Sequence, residues 1–433
     1  MDYQFPVRNL YNARSVLEPD FDIMAYPQLY VNLDPARIKT RFDDYRQRIK
    51  RSLNVDEYSK RLLSEPLAYK KILFTGYRGS GKTTELRKLE REISGPQGYY
   101  VIFIELEREY NITKFQAEDF YFIIFYKFVK HLEKFNSLQS EATSLSEIIR
   151  DLISDRETTS VINHCIGKNV KFKSGAGFNA LNFLMTRLDI GYEFATGSEL
   201  ANRIRTRIKN RIPQIIENFN EKLRHIRRSI QEHNLGKDIL FIIDGLEKVP
   251  VKVYDSLIIQ DHASFREINA NMIISVPIEA HFRFNNRVIK DNFDTFLLPV
   301  IRVDDTHNRL LLAEVIKRRI DINQFFEGEH VVDFLVKMSG GVMRQLFKLI
   351  SNCLLFSDSL KVTLKEAKEI VEYYGKQQFE VLNTKQLKRL KEIKNKKREL
   401  KPANEEDGPL LFNLFVLKFS EDYVINPVID LFI

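Results

Sequence analysis

The residues best suited to chemistry in this chain lie in one segment that holds three glycines, a lysine and two threonines. The pattern G-x-x-x-x-G-K-[ST] is complete over residues 76–83. Glycines let successive backbone N–H groups turn toward one point at the positive end of the next helix, where phosphate binds. Lys82 then reaches the terminal phosphates, and the Thr83 hydroxyl suits Mg²⁺. We therefore predict that ATP or another purine nucleotide binds with Mg²⁺ at Gly76, Gly79, Ser80, Gly81, Lys82, Thr83 and Thr84.

A second candidate is the apolar run 238–244, which ends in Asp244 and is followed by Glu247. In open parallel sheets, ligands bind at the carboxyl ends of the strands. Asp244 is therefore predicted to hold Mg²⁺ through water, and Glu247 to polarise an attacking water. The alternative is a strand that simply stops at an acidic turn, which the upstream P-loop makes the weaker interpretation.

Two more polar residues are candidates for the same site. Ser275 lies near the end of another apolar run, where it could bond the γ-phosphate or the attacking water, or merely satisfy a strand end. Arg344 lies at the start of a helical pattern, where the helix dipole disfavours a cation. A phosphate partner explains Arg344 there, although a surface ion pair is the alternative.

The elements that position these residues alternate between apolar runs and helical patterns. The runs are 71–75, 99–106, 238–244, 271–276 and 295–303. Continuous apolar runs separated by helices are typical of parallel sheets. The predicted fold class is α/β: a five-stranded parallel P-loop core with a helical lid, a largely helical insertion and a small C-terminal module.

The domain boundaries follow from changes in pattern. Residues 1–69 are predicted to form an N-terminal arm with one helix that runs from Asp34 through Ile49. For this arm, simple packing against the rest of the protein is favoured over contact with a nucleotide base. Residues 70–305 are the core, 306–374 the lid and 375–433 a basic tail, for which a winged-helix-like module and a packing tail are equally favoured.

An insertion over residues 136–236 interrupts the core. It is predicted to contain a hairpin over 167–178 and 188–196, then a long helix over 199–234 with an apolar stripe. The opposite face of that helix is basic, and solvation is slightly favoured over contact with a polyanion. Its cations are Arg203, Arg205, Arg207, Lys209, Arg211, Arg224, Arg227 and Arg228.

The composition narrows the class of protein. The net charge is +8 and the pI is near 9.1. A soluble basic protein without a polyanionic partner and a protein that binds nucleic acid are about equally favoured by this charge. Two cysteines without metal-ligand spacing favour the reducing cytoplasm. The most apolar run, 120–129, is too short to span a bilayer, so no membrane partner is expected.

These motifs together resemble the AAA+ and STAND branches of the P-loop ATPases. The second-sensor element of initiator-type AAA+ lids is similar to residues 341–344, and the NACHT-like D-G-L-D-E motif is similar to residues 244–247. Position 245 is glycine, so the D-E pair of ordinary AAA+ proteins is absent, and Glu247-Lys248 stand where the STAND group often has two acids. Residues 286–288 resemble an arginine-bearing box, which implies an arginine finger at Arg287 or at nearby Arg283.

The resemblance implies an ATP-driven switch that changes conformation or assembly, with ATP hydrolysis whose rate, fast or slow, stays open. It implies ATP and ADP as ligands, and a homo-oligomer or a partner effector protein, in bacterial signalling or anti-phage defence. The alternative is a DNA-engaging ATPase of the initiator or transposition-targeting type, suggested by the basic segments. A small-molecule kinase is a weaker third interpretation, because the third-strand acid and lid arginine suit ATPases better.

Overall fold

The central sheet is built from five strands. The inner strands are buried on both faces, as parallel strands require, and the edge strand formed by residues 294–297 is partly exposed. The five strands are β1 (Lys71–Thr75), β2 (Tyr99–Glu105), β3 (Asp238–Asp244), β4 (Asn271–Val276) and β5 (Asp294–Leu297). The order across the sheet is β2-β3-β4-β1-β5, and every neighbouring pair is parallel. The predicted five-stranded parallel α/β core is confirmed, and the carboxyl ends of β1, β3 and β4 meet at one edge.

The computed structural model describes residues 4–18, 21, 23–41, 43–59, 61–63, 68–110, 112–153, 199–279, 287–396, 406–419 and 422–433. The predicted hairpin over 167–178 and 188–196 lies outside the described residues, and so does Arg283.

The fifth strand is shorter than predicted, because it ends at Leu297 rather than at residue 303. This edge strand pairs only with β1, and the register places Leu297 beside Thr75, the last residue of β1. The N–H of Leu298 still donates to the Thr75 carbonyl at 2.8 Å. Beyond it, β1 offers no backbone with which a longer strand could pair.

Helices cover both faces of the sheet. The P-loop helix (Lys82–Ile93) packs on one face through Leu86, Leu89 and Ile93. On the other face lie the helices Ala117–Leu132, Gln139–Ile153 and Glu199–Glu232. The last is the predicted long helix, and its non-helical φ/ψ at Arg211 comes two residues before Pro213, which cannot donate a helical hydrogen bond.

The single helix predicted from Asp34 through Ile49 is wrong, because the chain forms Asp34–Arg37 and Tyr45–Ser52 with a turn between them. Side chains in that turn bond the backbone and compete with the helix. Asp43 accepts from the Thr40 N–H at 3.0 Å, and Asp44 caps the second helix by accepting from the Gln47 N–H at 2.9 Å. The rest of the arm holds the helix Leu10–Ser15 and 3-10 turns at Ile23–Ala25 and Pro27–Leu29.

Helices dominate after the sheet. The lid region holds Thr306–Arg319, Ile322–Phe325, Glu329–Met338, Met343–Phe356 and Leu364–Phe379. The tail begins with the helix Thr384–Lys396. Residues 407–433, which we call the C-terminal module, hold the helix Asp407–Phe412, an antiparallel hairpin of β6 (Val416–Lys418) and β7 (Tyr423–Ile425), and the helix Pro427–Asp430.

The remaining short elements connect the core. They are Leu106–Glu109, Ile112–Lys114, Asn136–Leu138, Leu246–Lys248, Val251–Tyr254, the π-helix Asp255–Gln260, His262–Arg266 and Arg287–Asn292.

One hydrophobic cluster joins the arm, the lid and the C-terminal module. It contains Val16 of the arm, Leu346 of the lid and Leu417 of the C-terminal module. Val7 also forms a parallel bridge with Ile320, which fixes the arm to the end of a lid helix. The three regions therefore meet around the edge of the sheet at which the P-loop lies.

Candidate nucleotide-binding site

The P-loop connects the end of β1 to the helix that begins at Lys82. Gly79 and Gly81 have φ values of +81° and +96°, a left-handed conformation that glycine adopts without strain. At Gly79 a side chain is also excluded by space, because its Cβ would lie 2.2 Å from the Arg344 Cβ. The glycines of the motif thus permit both the curl of the loop and the close approach of the lid.

Lys82 is buried at the base of this loop. Its ammonium donates to the carbonyls of Gly76 and Tyr77 at 2.9 and 3.1 Å. It also lies 3.3 Å from the Glu247 carboxylate, an ion pair that sequence reasoning did not predict. Lys82 therefore has oxygen partners that phosphate oxygens could replace.

The strand-end residues converge on the same loop, because β4 lies between β1 and β3. The Thr83 hydroxyl donates to Asp244 Oδ2 at 2.5 Å. Ser275 donates to Glu247 Oε2 at 2.5 Å and accepts from the Gly245 N–H at 2.7 Å. The structure thus brings Thr83, Asp244, Glu247 and Ser275 together, and Ser275 holds the carboxylate that was predicted to polarise water.

The two carboxyl groups have opposite pKa shifts. Burial, reinforced by the charge of Glu247, raises the pKa of Asp244 to about 6. Burial acts in the same direction on Glu247, but Lys82 and the Ser275 hydroxyl outweigh it and hold the pKa of that carboxyl below its usual range. Glu247 is therefore ionised at neutral pH and able to accept a proton.

The residues at this edge fit Mg²⁺. Asp244 Oδ1 is buried and has no hydrogen-bond partner among the described residues, while its other oxygen meets the Thr83 hydroxyl. The described residues contain no group of three or more His, Cys, Asp or Glu that could hold a metal. Mg²⁺ does not need one, because it commonly takes one or two protein ligands, phosphate oxygens and waters.

The N-terminal arm contributes residues that sequence reasoning missed. The Arg37 guanidinium donates to the Ser80 carbonyl at 2.6 Å and to Glu85 at 2.7 Å. Glu85 also accepts from the Tyr45 hydroxyl at 2.8 Å and from Arg46 at 2.5 Å. The arm thus braces the P-loop from outside, and no local pattern signals this, since Arg37 and Ser80 are 43 residues apart.

Two adjoining cavities of about 180 and 330 Å³ border the P-loop. The smaller is lined on its apolar side by arm residues, among them Leu29, Val31 and Leu33. Thr83, Thr84 and Arg344 line both cavities. An apolar wall beside a phosphate-binding loop suits a nucleotide base, which favours the contact between arm and base that the sequence ranked second.

The two predicted arginines differ in position. Arg344 lies at the start of the helix Met343–Phe356, and its backbone N–H donates to the Gly79 carbonyl at 3.1 Å. Arg287 lines neither cavity, has a side chain that is 94% exposed, and pairs with Asp291 at 3.3 Å on its own helix. The structure therefore brings Arg344 but not Arg287 to the P-loop of its own chain.

The basic face of the long helix is largely engaged within the chain. Arg205 forms a buried pair with Asp119, and Arg227 pairs with Asp238, at 2.7 and 2.6 Å. Arg211 lies 3.1 Å from Asp151. Arg205 and Arg227 thus join the insertion to the core, and Arg211 joins two helices of the insertion, roles that the sequence did not distinguish from solvation.

Comparison with known proteins finds solved structures that are similar to this chain at low sequence identity. No family model and no curated protein matches the sequence. The structure is similar to a Walker-type ATPase of Pyrococcus abyssi, with 12% identity, a TM-score of 0.38, and coverage of 91% of this chain and 96% of that one. It is also similar to Cdc6p of Pyrobaculum aerophilum, with 11% identity, a TM-score of 0.39, and coverage of 96% of this chain and 95% of that one. A third similar structure is the Aeropyrum pernix ORC1 protein in complex with DNA, with 13% identity, a TM-score of 0.36, and coverage of 89% of this chain and 78% of that one. The function is therefore argued from the geometry of the site.

The sequence leads us to expect no membrane partner. No helix in the described parts of the chain is long and apolar enough to cross a bilayer.

Proposed function

We propose that this chain binds ATP with Mg²⁺ and hydrolyses it, and that the nucleotide state changes its conformation or assembly. The observation that carries the proposal is the convergence of Lys82, Thr83, Asp244, Glu247 and Ser275 at the carboxyl ends of three neighbouring strands. No single segment of sequence could produce that arrangement.

Each residue has a defined role in the proposal. Lys82 binds the terminal phosphates, and Thr83 with Asp244 holds Mg²⁺, which when bound neutralises charge that develops on them. Glu247, ionised at neutral pH, accepts the proton of the attacking water at a carboxylate oxygen. Ser275 fixes the orientation of that carboxylate through its hydroxyl.

A finer assignment concerns the branch of P-loop ATPases. We propose a protein of the AAA+ or STAND type, supported by the lid arginine at the P-loop and by the D-G-L-E sequence after β3. Such a switch acts through assembly with other copies or through a partner effector protein, with bacterial signalling or anti-phage defence in the cytoplasm as the proposed setting.

A test of nucleotide binding is the variant Lys82→Ala. We expect its affinity for an ATP analogue to fall by about a hundredfold or more, because a charged hydrogen-bonding group is lost at the phosphates. The matched control is Lys50→Ala, which removes another largely buried lysine, paired with Glu92 at 2.5 Å outside the cavities. Equal affinities of folded Lys82→Ala and wild-type protein, measured by calorimetry, would contradict the proposal.

DNA binding is the second candidate function, and one surface favours it. Lys385, Lys388 and Lys391 are exposed and follow one another at three-residue spacing on the helix Thr384–Lys396. That spacing places them along one face, where they could meet successive phosphates. The exposed cations of the long helix at Lys209, Arg224 and Arg228 are less evenly spaced.

A further inference from the structure

The C-terminal module reaches the P-loop through one tyrosine. The Lys418 N–H of β6 donates to the Tyr77 hydroxyl at 2.6 Å, across 341 residues of sequence. Tyr77 lies inside the phosphate-binding motif, yet its side chain is fully buried and points away from the cavities. Its hydroxyl thus belongs to the interface with the C-terminal module rather than to the nucleotide site.

The backbone of the same tyrosine supports the phosphate-binding groups. The Tyr77 carbonyl accepts from Lys82 Nζ at 3.1 Å and from the Ser80 hydroxyl at 2.8 Å. A displacement of the Tyr77 side chain would therefore be transmitted to Lys82 and Ser80 through one residue.

The C-terminal module also holds the lid directly beside Arg344. The side-chain amides of Gln345 and Asn426 exchange two buried hydrogen bonds of 2.9 and 2.8 Å. At Gly340 the fit leaves no room for a side chain, because a Cβ would lie 2.4 Å from Leu417 Cδ1. The C-terminal module is thus bound to the lid and to the P-loop at the same time.

The lid in turn lies closely against the P-loop. The Arg344 N–H donates to the Gly79 carbonyl, and the two residues leave no space for a side chain on Gly79. Arg344 also lines both cavities beside the P-loop, which measure about 180 and 330 Å³. Separation of the Arg344 helix from Gly79 would therefore enlarge the space through which a nucleotide enters and leaves.

We propose that the C-terminal module is a strap that holds the lid on the P-loop and limits nucleotide exchange. Because it contacts both parts, opening the lid must break either the Tyr77 contact or the Gln345–Asn426 pair. Any partner that pulls the hairpin away would then accelerate exchange. The consequence for exchange rests on the proposed nucleotide binding, whereas the mechanical role of the strap does not.

The first experiment measures the strap without nucleotide. Tyr77→Phe removes only the hydroxyl, and Gln345→Met breaks the amide pair independently. Tyr99→Phe is the matched control, because it removes another fully buried hydroxyl, which donates to the Leu53 carbonyl at 2.7 Å. We expect amide hydrogen exchange at residues 342–346 to quicken about threefold to tenfold in the two strap variants and to stay unchanged in the control.

The second experiment measures release of a fluorescent ADP analogue from the full chain. The same two variants should release it about threefold to tenfold faster than wild type and Tyr99→Phe. Unchanged amide exchange in both variants would overturn the strap, whether or not nucleotide binds. Quickened amide exchange in the two strap variants, together with a wild-type chain that binds no nucleotide, would support the strap and contradict the proposed function. Quickened amide exchange in the strap variants with an unchanged rate of ADP-analogue release would overturn the proposed control of nucleotide exchange.

Discussion

At the scale of single residues, Glu247 connects the parts of the site. It accepts from Ser275 on one oxygen and pairs with Lys82 on the other, so its orientation is fixed before a nucleotide is bound. The pair also lowers the pKa of Glu247 although burial alone would raise it. A carboxylate held in this way can bind a water and take its proton.

Replacement of Glu247 by Gln should separate binding from turnover. We expect ATP hydrolysis to fall about 10²- to 10⁴-fold, because an amide does not accept the proton of the attacking water. Binding of ATP should persist, since Lys82 loses its carboxylate partner and remains available to phosphate. Rates of phosphate release and the affinity for an ATP analogue check the two effects.

The matched control for that variant is Glu92→Gln, which removes another acid paired with a lysine, in this case Lys50. Glu92 lies near the C-terminal end of the P-loop helix, outside the two cavities. It should hydrolyse ATP like wild type. If Glu247→Gln turned over at the parental rate, Glu247 would be a turn residue that stabilises Lys82 and nothing more.

At the scale of elements, the helix Met343–Phe356 carries Arg344 over Gly79, while the arm contacts the P-loop at Ser80 through Arg37. The nucleotide site is therefore bounded by elements from both ends of the chain. If the P-loop binds phosphates as proposed, Arg344 lies where it could distinguish ATP from ADP.

Loss of Arg344 should reduce the distinction between ATP and ADP. In Arg344→Ala the affinity for ATP should fall about tenfold or more, while the affinity for ADP should change little, because the predicted partner is the γ-phosphate. Calorimetric titration with both nucleotides measures the ratio.

Lys348→Ala is the control for Arg344, since it removes an exposed cation from the next turn of the same helix. Its affinities should match those of wild type. Equal losses of ATP and ADP affinity in Arg344→Ala would show that this arginine serves the lid structure rather than the γ-phosphate.

The lysine face of the helix Thr384–Lys396 permits a separate test of DNA binding. Replacing Lys385, Lys388 and Lys391 by Gln should weaken binding to duplex DNA and reduce the slope of log affinity against log salt by about 2 to 3. Fluorescence anisotropy at several salt concentrations measures both.

The control replaces Lys209, Arg224 and Arg228 by Gln, three exposed cations of the long helix, and so removes the same charge. We expect a smaller effect from it. Equal effects from the two triple variants would indicate an unspecific response to net charge and would exclude the tail as a specific interface.

At the scale of the whole molecule, Arg287 is the predicted site residue that the chain does not bring to its own P-loop. It begins a short helix before β5 and projects into solvent. An arginine supplied by a neighbouring copy can stabilise charge on the γ-phosphate, with large effects on rate. The exposure of Arg287 is compatible with that role, so the role must be tested under conditions in which copies of the chain assemble.

We predict that hydrolysis per chain rises with protein concentration as copies assemble with ATP. Mixing Arg287→Ala chains with Lys82→Ala chains should restore part of the activity, because each variant supplies what the other lacks. Light scattering and phosphate release, measured over the same concentrations, check this.

Lys290→Ala, which removes a second exposed cation from the same helix, should behave like wild type. A rate per chain that stays constant through the assembly range, without recovery on mixing, would mean a switch that works as a monomer.

The sequence by itself determined the features that depend on neighbouring residues. The P-loop, the acid at the end of β3 and the serine near the end of β4 each follow from one short segment, since glycine conformation and strand-end position are local properties. The strand assignments were confirmed for the same reason, except at the edge strand β5, whose length depends on where β1 ends.

Only the tertiary structure decided which distant groups meet. The Lys82–Glu247 pair, the Arg37 contact with Ser80 and the Tyr77 bond to Lys418 join residues 165, 43 and 341 positions apart, from the numbering of each pair. Likewise, the arginines of the long helix look alike in sequence, yet Arg205 and Arg227 are turned toward buried acids. Such partners are selected by packing and desolvation, which act between surfaces that the fold brings together and leave no pattern in either segment alone.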